Sequence, residues 1–173
     1  MVDKWKEMQA MYNEGIRILF FCGGETFLWE DSGKNIRDLV KEAKEIGFLI
    51  VNIVTNGTIE LDLPDVDIIF LSLDGLENNH NFIRGNTFDT ILKNVEKENN
   101  SNICVYMAVN NKNLSDIEGV CRLVKENKNL KSISFNLHTP YEWTNDLVLS
   151  KEEKSLAIEE IKRMIKEKYL FLI

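Results

Sequence analysis

Short apolar runs alternate along this chain with stretches in which apolar residues return every three or four positions. Trp5, Met8 and Tyr12 recur at that spacing with charges between them and predict an amphipathic helix closed by Gly15. Ile18 to Phe21 is then a strand of four apolar residues. It runs straight into Cys22, Gly23, Gly24 and Glu25, so a buried strand is expected to end in an open loop carrying one acid. In the stretch SGKNIRDLVKEAKEIGF, Ile36, Leu39, Val40, Ala43 and Ile46 share one helical face, and Gly47 ends the helix. Residues 49–54 form a second strand that stops in Thr55, Asn56 and Gly57, and residues 68–73 form a third that stops in Asp74 and Gly75. The crossover between them, TNGTIELDLPDVD, leaves little room for a full helix.

The second half repeats the pattern. A helix over residues 88–98, with Thr87 as cap and Ile91, Leu92 and Val95 facing inward, precedes a strand over 103–109 that ends in Asn110 and Asn111. Ser115 and Glu118 have the spacing of a capping box for a helix whose core face is Ile117, Val120, Cys121 and Val124. Residues 132–137 are the fifth strand, leading into His138, Thr139 and Pro140. Ser150 and Glu153 open a final helix carrying Leu156, Ile158, Ile161 and Ile165, after which YLFLI reads as the start of another strand. Strands that stay apolar without alternating, separated by amphipathic helices, predict an α/β fold with a parallel sheet covered by helices. The polar signals GGE, TNG, SLDG, NN and LHT then all fall at the carboxyl ends of strands, where such sheets and barrels keep their ligand sites.

Composition narrows the function classes. At 173 residues, with a domain averaging about 150, the chain is expected to be a single domain over 1–173. A net charge of -7 without a basic run argues against nucleic acid and membrane surfaces as partners. No run is long enough for a membrane span and the N-terminus lacks a signal-peptide core, so a cytoplasmic protein is expected. Cys22, Cys104 and Cys121 are too scattered for a metal-ligand motif or a disulfide framework and read as buried thiols. No hydrolase triad order, GxxxxGK loop or HExxH helix occurs.

Several residues admit both a structural and a functional reading. Gly23 and Gly24 are either a simple turn or a place where backbone NH groups meet a ligand beside Glu25. Thr55, Asn56 and Gly57 are equally readable as a strand exit. Ser72 and Asp74, two apart on a strand, point to the same face, and small polar groups there fit a pocket better than a core. His80 and Arg84 meet only if their segment is helical; otherwise they are a surface pair on a loop. His138 reads as a histidine at a strand end.

GGETFLW, NIVTNGT and LSLDGLENNHNFIRGNTFDTILKNV, in that order and at those separations, resemble three blocks of the radical S-adenosylmethionine (radical SAM) enzymes. The resemblance implies a partial (β/α) TIM-like barrel whose first strand is missing. By it, Gly23, Gly24 and Glu25 receive the α-ammonium of S-adenosyl-L-methionine, and Thr55, Asn56, Ser72 and Asp74 line the cofactor pocket, with Asn110 and Asn136 on later strands. The family's cofactors are S-adenosyl-L-methionine and a [4Fe-4S] cluster held by CxxxCxxC, which this chain does not contain and which is expected upstream of it. GGET stands where the family has GGEP, and His80-Asn81 where it has His-Asp. The resemblance therefore implies a core fragment of an iron-sulfur oxidoreductase or transferase, inactive alone. Its parent would cleave S-adenosylmethionine to a 5'-deoxyadenosyl radical, act on a small-molecule or peptide substrate, and take electrons from a ferredoxin or flavodoxin. The alternative is a degenerate module that binds a nucleotide-like ligand or a partner without radical chemistry.

Overall fold

The computed structural model describes residues 4–98, 102–141 and 143–167. Seven strands and six helices follow one another as α1 (Lys4–Asn13), β1 (Ile18–Phe21), β2 (Glu30–Asp31), β3 (Lys34–Asn35), α2 (Ile36–Ile46), β4 (Ile50–Thr55) and β5 (Ile68–Ser72). They continue with α3 (Glu77–Arg84), α4 (Phe88–Lys97), β6 (Ile103–Val109), α5 (Ile117–Glu126), β7 (Leu130–Leu137) and α6 (Lys151–Lys166). Five strands make one sheet in the order β1-β4-β5-β6-β7, every neighbouring pair parallel, and β2 with β3 forms a small antiparallel hairpin. The sheet is open, and no closed barrel forms among the described residues.

One parity of strand positions supplies the core. Leu19, Val51, Ile53, Ile69, Leu71, Ile103, Val105, Met107, Val109 and Ile133 pack with the buried faces of α2, α4 and α5 in a continuous apolar cluster. The opposite parity forms the uncovered face. There Phe20 of β1, Phe70 of β5 and Tyr106 of β6 make a row of rings that passes over β4, with centroids 5.5 and 6.2 Å apart, while Ile18, Phe20 and Ile50 stay exposed. Burial on one face is what fixes the register, because a one-residue slip would turn every core residue outward.

The helices correct several expectations. α2 starts with a capping box that Asn35 and Asp38 provide and ends at Gly47, whose φ of 108° is a left-handed cap. The box at Ser150 and Glu153 forms as its spacing implies. The one expected at Ser115 and Glu118 does not: residues Leu114–Asp116 are a 3-10 turn, Asp116 precedes α5, and Glu118 is bonded to Arg122 and Arg163 instead. Thr87 does not cap α4 through its side chain; the Asn81 amide oxygen accepts from both Thr87 N and Phe88 N at 3.1 Å. On α6 the buried residues are Ala157 and Met164, with Ile161 packed beside them, whereas Leu156, Ile158 and Ile165 are exposed. Cys22 is exposed too, since it lies past the end of β1; Cys104 and Cys121 are buried as expected. The strand expected at YLFLI lies outside the described residues.

Candidate functional site

β1 and β4 lie side by side with Phe21 opposite Ile53, so the loops that leave their carboxyl ends start as neighbours. Gly23 and Gly24 have φ of 112° and 54° and open space where a side chain would sit. Glycine is wanted there for backbone conformation rather than for room. The turn delivers Glu25 to the end of β4. Its Oε1 accepts from the Thr55 hydroxyl at 2.8 Å and from Phe27 N at 3.1 Å, and its Oε2 accepts from Asn56 N at 2.8 Å. A carboxylate has about four acceptor positions, so roughly one remains. Thr26 adds a fourth link, its hydroxyl donating to the Val54 carbonyl at 2.6 Å.

The β4 loop is braced in turn. Thr55 Oγ1 accepts from Gly57 N at 3.1 Å, and the Asn56 amide oxygen accepts from Thr58 N at 2.9 Å. Gly57 has φ of 74° and sits so close to Leu71 and Ile91 that any side chain would collide.

One strand further, Ser72 and Asp74 are both buried on the parity opposite the core. Asp74 carries its charge into this setting because two donors meet it: Ala108 N at 2.7 Å on Oδ1 and Arg84 Nε at 2.5 Å on Oδ2. Arg84 comes from α3, a helix that the sequence's periodicity does not announce. Its guanidinium is anchored through Nε, and the side chain as a whole is about one-third exposed (34%). Held this way, the fork is preset for a planar anion.

His80, also on α3, is completely buried. Its Nδ1 faces Asp74 N at 3.1 Å and must be the acceptor, so the proton is on Nε2, 3.0 Å from Thr87 Oγ1. Burial first, then the nearby Arg84 charge, lowers its pKa to about 4, against a smaller opposing pull from Asp74. His80 and Arg84 are therefore not a surface pair on a loop: the neutral imidazole fixes the backbone of Asp74, and the arginine fixes its carboxylate. Spacing alone joins them only on the condition of a helix, which α3 supplies; it says nothing of their roles.

Farther along the sheet, Asn110 is buried and bonded within its own loop, its amide nitrogen donating to Ala108 O at 3.2 Å and its oxygen accepting from Lys112 N at 2.9 Å. Asn113, which the sequence did not single out, is the more central residue. It donates to Asp74 O at 3.2 Å and Ala108 O at 2.9 Å and accepts from Asn110 N at 2.7 Å, joining the ends of β5 and β6. Asn136 is exposed and stands opposite Ala108 on β7, away from Glu25. His138 Nε2 lies 3.1 Å from Thr144 Oγ1, within its own loop.

A family model for the radical SAM superfamily matches residues 3–124. This chain belongs to the radical SAM superfamily. No curated protein matches it in sequence. Among solved structures, SuiB of Streptococcus suis, described as bound to S-adenosylmethionine, is similar at 15% identity and a TM-score of 0.71, over 95% of this chain and 40% of SuiB. A domain of the pyruvate-formate lyase-activating enzyme of Bacteroides vulgatus is similar at 16% identity and a TM-score of 0.60, over 84% of this chain and 92% of the domain. The radical SAM chain thus spans about two-fifths of SuiB, and at these identities the likeness speaks for the fold alone.

The residues present suit the two halves of an amino acid: an acceptor at Glu25 for an ammonium, and a cationic fork at Arg84 for a carboxylate. They do not suit an iron-sulfur cluster. The cysteines lie on a loop, on β6 and on α5, and burial raises the pKa of Cys104 and pushes that of Cys121 up to about 12, which keeps both as thiols. Among the described residues no group of three or more His, Cys, Asp and Glu is placed to hold a metal ion. Nor is any described helix long and apolar enough to cross a membrane.

Proposed function

We propose that this radical SAM domain holds S-adenosylmethionine along the carboxyl edge of β1, β4 and β5, and that the cluster which reduces it is carried by a segment outside these 173 residues. The observation that carries the reading is a braced acid and a braced cation at the carboxyl edge of the sheet: Glu25 after β1, held to Thr55 and Asn56, and Arg84 at the end of α3, held by Asp74 at the exit of β5. The remaining acceptor position of Glu25, with the Gly23–Gly24 turn beside it, takes the ammonium. Arg84 and Ser72 take the carboxylate. Thr55, Asn56 and Asp74 act chiefly by holding these groups, while Asn110 stabilises a loop and Asn136 faces the open sheet toward substrate. Fixing the ligand's amino-acid end in advance is the domain's contribution to orientation. A bound S-adenosylmethionine supplies hydrogen-abstracting radical chemistry once an electron reaches it, and the intact oxidoreductase draws that electron from a ferredoxin or flavodoxin. The chain by itself is inactive in this reading.

The free edge of β1 supports a missing neighbour. Among the described residues β1 ends the strand order, and a cleft of about 290 Å³ lies along it, lined by Glu7, Met8, Phe20, Cys22, Gly23 and Trp29 among others. An added strand would cover both.

Titration calorimetry of the 173-residue chain with S-adenosylmethionine tests the ligand assignment. Saturable binding should weaken about tenfold or more in Arg84→Ala, as loss of a charge-assisted hydrogen bond requires, and inorganic phosphate should not compete. Undiminished binding by both Arg84→Ala and Glu25→Ala, or preference for phosphate, would overturn it. A longer gene product that binds the cofactor yet stays colourless and inert after iron and sulfide reconstitution would instead mark a degenerate binding module.

A further inference from the structure

Thr26 is buried, and the loop around it has a backbone that proline would also fit. Glu25 before it is extended, with φ of -110° and ψ of 110°, and Thr26 is the first residue of the 3-10 turn Thr26–Leu28. Both are conditions a proline accepts. The turn's hydrogen bonds run from Leu28 N to Glu25 O and from Trp29 N to Thr26 O, each at 3.1 Å, so the turn uses the Thr26 carbonyl and not its NH. What threonine has and proline lacks is the hydroxyl, and that hydroxyl reaches across to β4, donating to Val54 O at 2.6 Å. The next two residues, Thr55 at the end of β4 and Asn56 just past it, are the ones that Glu25 grips, through the Thr55 hydroxyl and Asn56 N. Thr26 and Glu25 therefore clasp three consecutive residues of the neighbouring strand end.

We infer that Thr26 is a positioning residue: its hydroxyl, by pinning the loop to Val54, holds the Glu25 carboxylate in place before any ligand arrives, and so does by a hydrogen bond what a proline would do by restricting φ. The part of this that concerns ligand affinity rests on the function proposed above; the pin itself does not. Three substitutions separate the pin from bulk. Thr26→Val keeps the shape and removes the hydroxyl, Thr26→Ser keeps the hydroxyl, and Thr26→Pro restores stiffness without it.

Hydrogen exchange of the full chain reads the clasp at Asn56 N, Phe27 N and Gly57 N, with Ala108 N, bonded to Asp74, as a remote control. Loss of one buried neutral hydrogen bond should speed exchange at the clasp amides by about five- to tenfold in Thr26→Val, leave Ala108 unchanged, and be reversed by Thr26→Ser and by Thr26→Pro. Thr26→Val should also weaken S-adenosylmethionine by a similar factor, with Thr26→Ser at the wild-type value. Unchanged clasp exchange in Thr26→Val, or acceleration that includes Ala108 equally, would overturn the inference. If the clasp loosens as described while the wild-type chain takes no S-adenosylmethionine, the pin stands and the cofactor assignment is what fails.

Discussion

His80 should give this fold a pH-dependent stability with one identifiable origin. The neutral ring accepts from Asp74 N and donates to Thr87, so adding a proton to Nδ1 sets an N–H against an N–H inside a fully buried site. Its folded pKa of about 4 lies below the ordinary 6.5. Above pH 6.5 the ring is neutral in both folded and unfolded chains and its contribution is complete. As pH falls below 6.5 the unfolded chain takes up a proton that the folded chain refuses, so stability is lost until about pH 4, where both carry it. Those two pKa values give a loss of about 2 kcal/mol between pH 7 and pH 5. For a chain of this length that is roughly 4–8 °C in Tm. The carboxylates with lowered pKa do not confuse this window. Asp67, where Lys44 and Val51 N outweigh burial, and Glu118 and Glu159, lowered by their arginine and lysine partners, lose their contributions only as pH falls below their ordinary values of 3.8 and 4.5. Thermal unfolding of the wild type and His80→Gln at pH 7 and pH 5 is the assay. Gln retains a donor and an acceptor but does not titrate, so its Tm should start lower at pH 7 and fall much less. Parallel losses in the two proteins, or a histidine resonance from position 80 titrating near 6.5, would refute the reasoning.

Other substitutions test other parts of the frame. Asn113→Ala removes three bonds that join the ends of β5 and β6 and should lower stability by about 3 kcal/mol in denaturant unfolding, with faster exchange at Asn110 N. Gly57→Ala combines an unfavourable φ of 74° with a collision at Leu71 and should destabilise by about 2 kcal/mol or more by the same measure. Met164→Ala on α6 should cost about 2–4 kcal/mol, whereas Leu156→Ala on the same helix, 62% exposed, should stay within about 0.5 kcal/mol. Equal effects at those two positions would mean that α6 is turned the other way.

How far the sequence carries depends on which physical signal each element rests on. The five parallel strands are legible because apolar side chains stand on both of their faces, the uncovered one carrying Ile18, Phe20, Ile50 and Phe70, so each reads as a continuous apolar run against which its polar exit stands out. The existence of α6 is legible but its packed face is not, because its large apolar residues lie around the helix: Leu156 and Ile158 are exposed, while the stripe that packs runs through Ala157, Ile161 and Met164, at spacings of four and three. The sequence spacing of Ser115 and Glu118 satisfies a capping pattern, but Asp116 competes locally, accepting from Leu76 N at 2.9 Å, and the arginines of α5 and α6 draw Glu118 away. Local pattern cannot rank such competitors, since the deciding partners are distant in the chain. α3 escapes notice for a related reason. In ENNHNFIR only His80 is buried, and the helix sits among side-chain bonds from Asp116 and Asn81 rather than on an apolar face.

The same distinction separates what was visible in the candidate site from what was not. Residue type at a strand end marks Glu25, Thr55, Ser72 and Asp74, because acids and hydroxyls have no reason to end an apolar strand unless something meets them there. Type does not reveal how much of each group is already engaged. Glu25 reads in sequence as a free carboxylate; in the fold three donors occupy it, so a ligand's ammonium would find it fixed and partly used. Asp74 reads as a pocket acid, yet with Ala108 N and Arg84 on its two oxygens it serves as the anchor of a cation. Asp74 and Arg84 form an ion pair whose charges offset, so Asp74 is not the free acid that the SLDG segment alone suggests. Exchanging Asp74 for Asn should free Arg84 rather than remove an acidic ligand contact. A site that loses affinity for a carboxylate-bearing ligand on Asp74→Asn, and loses it by the same factor on Arg84→Ala with no further loss in the double variant, would show that the two residues act as one unit.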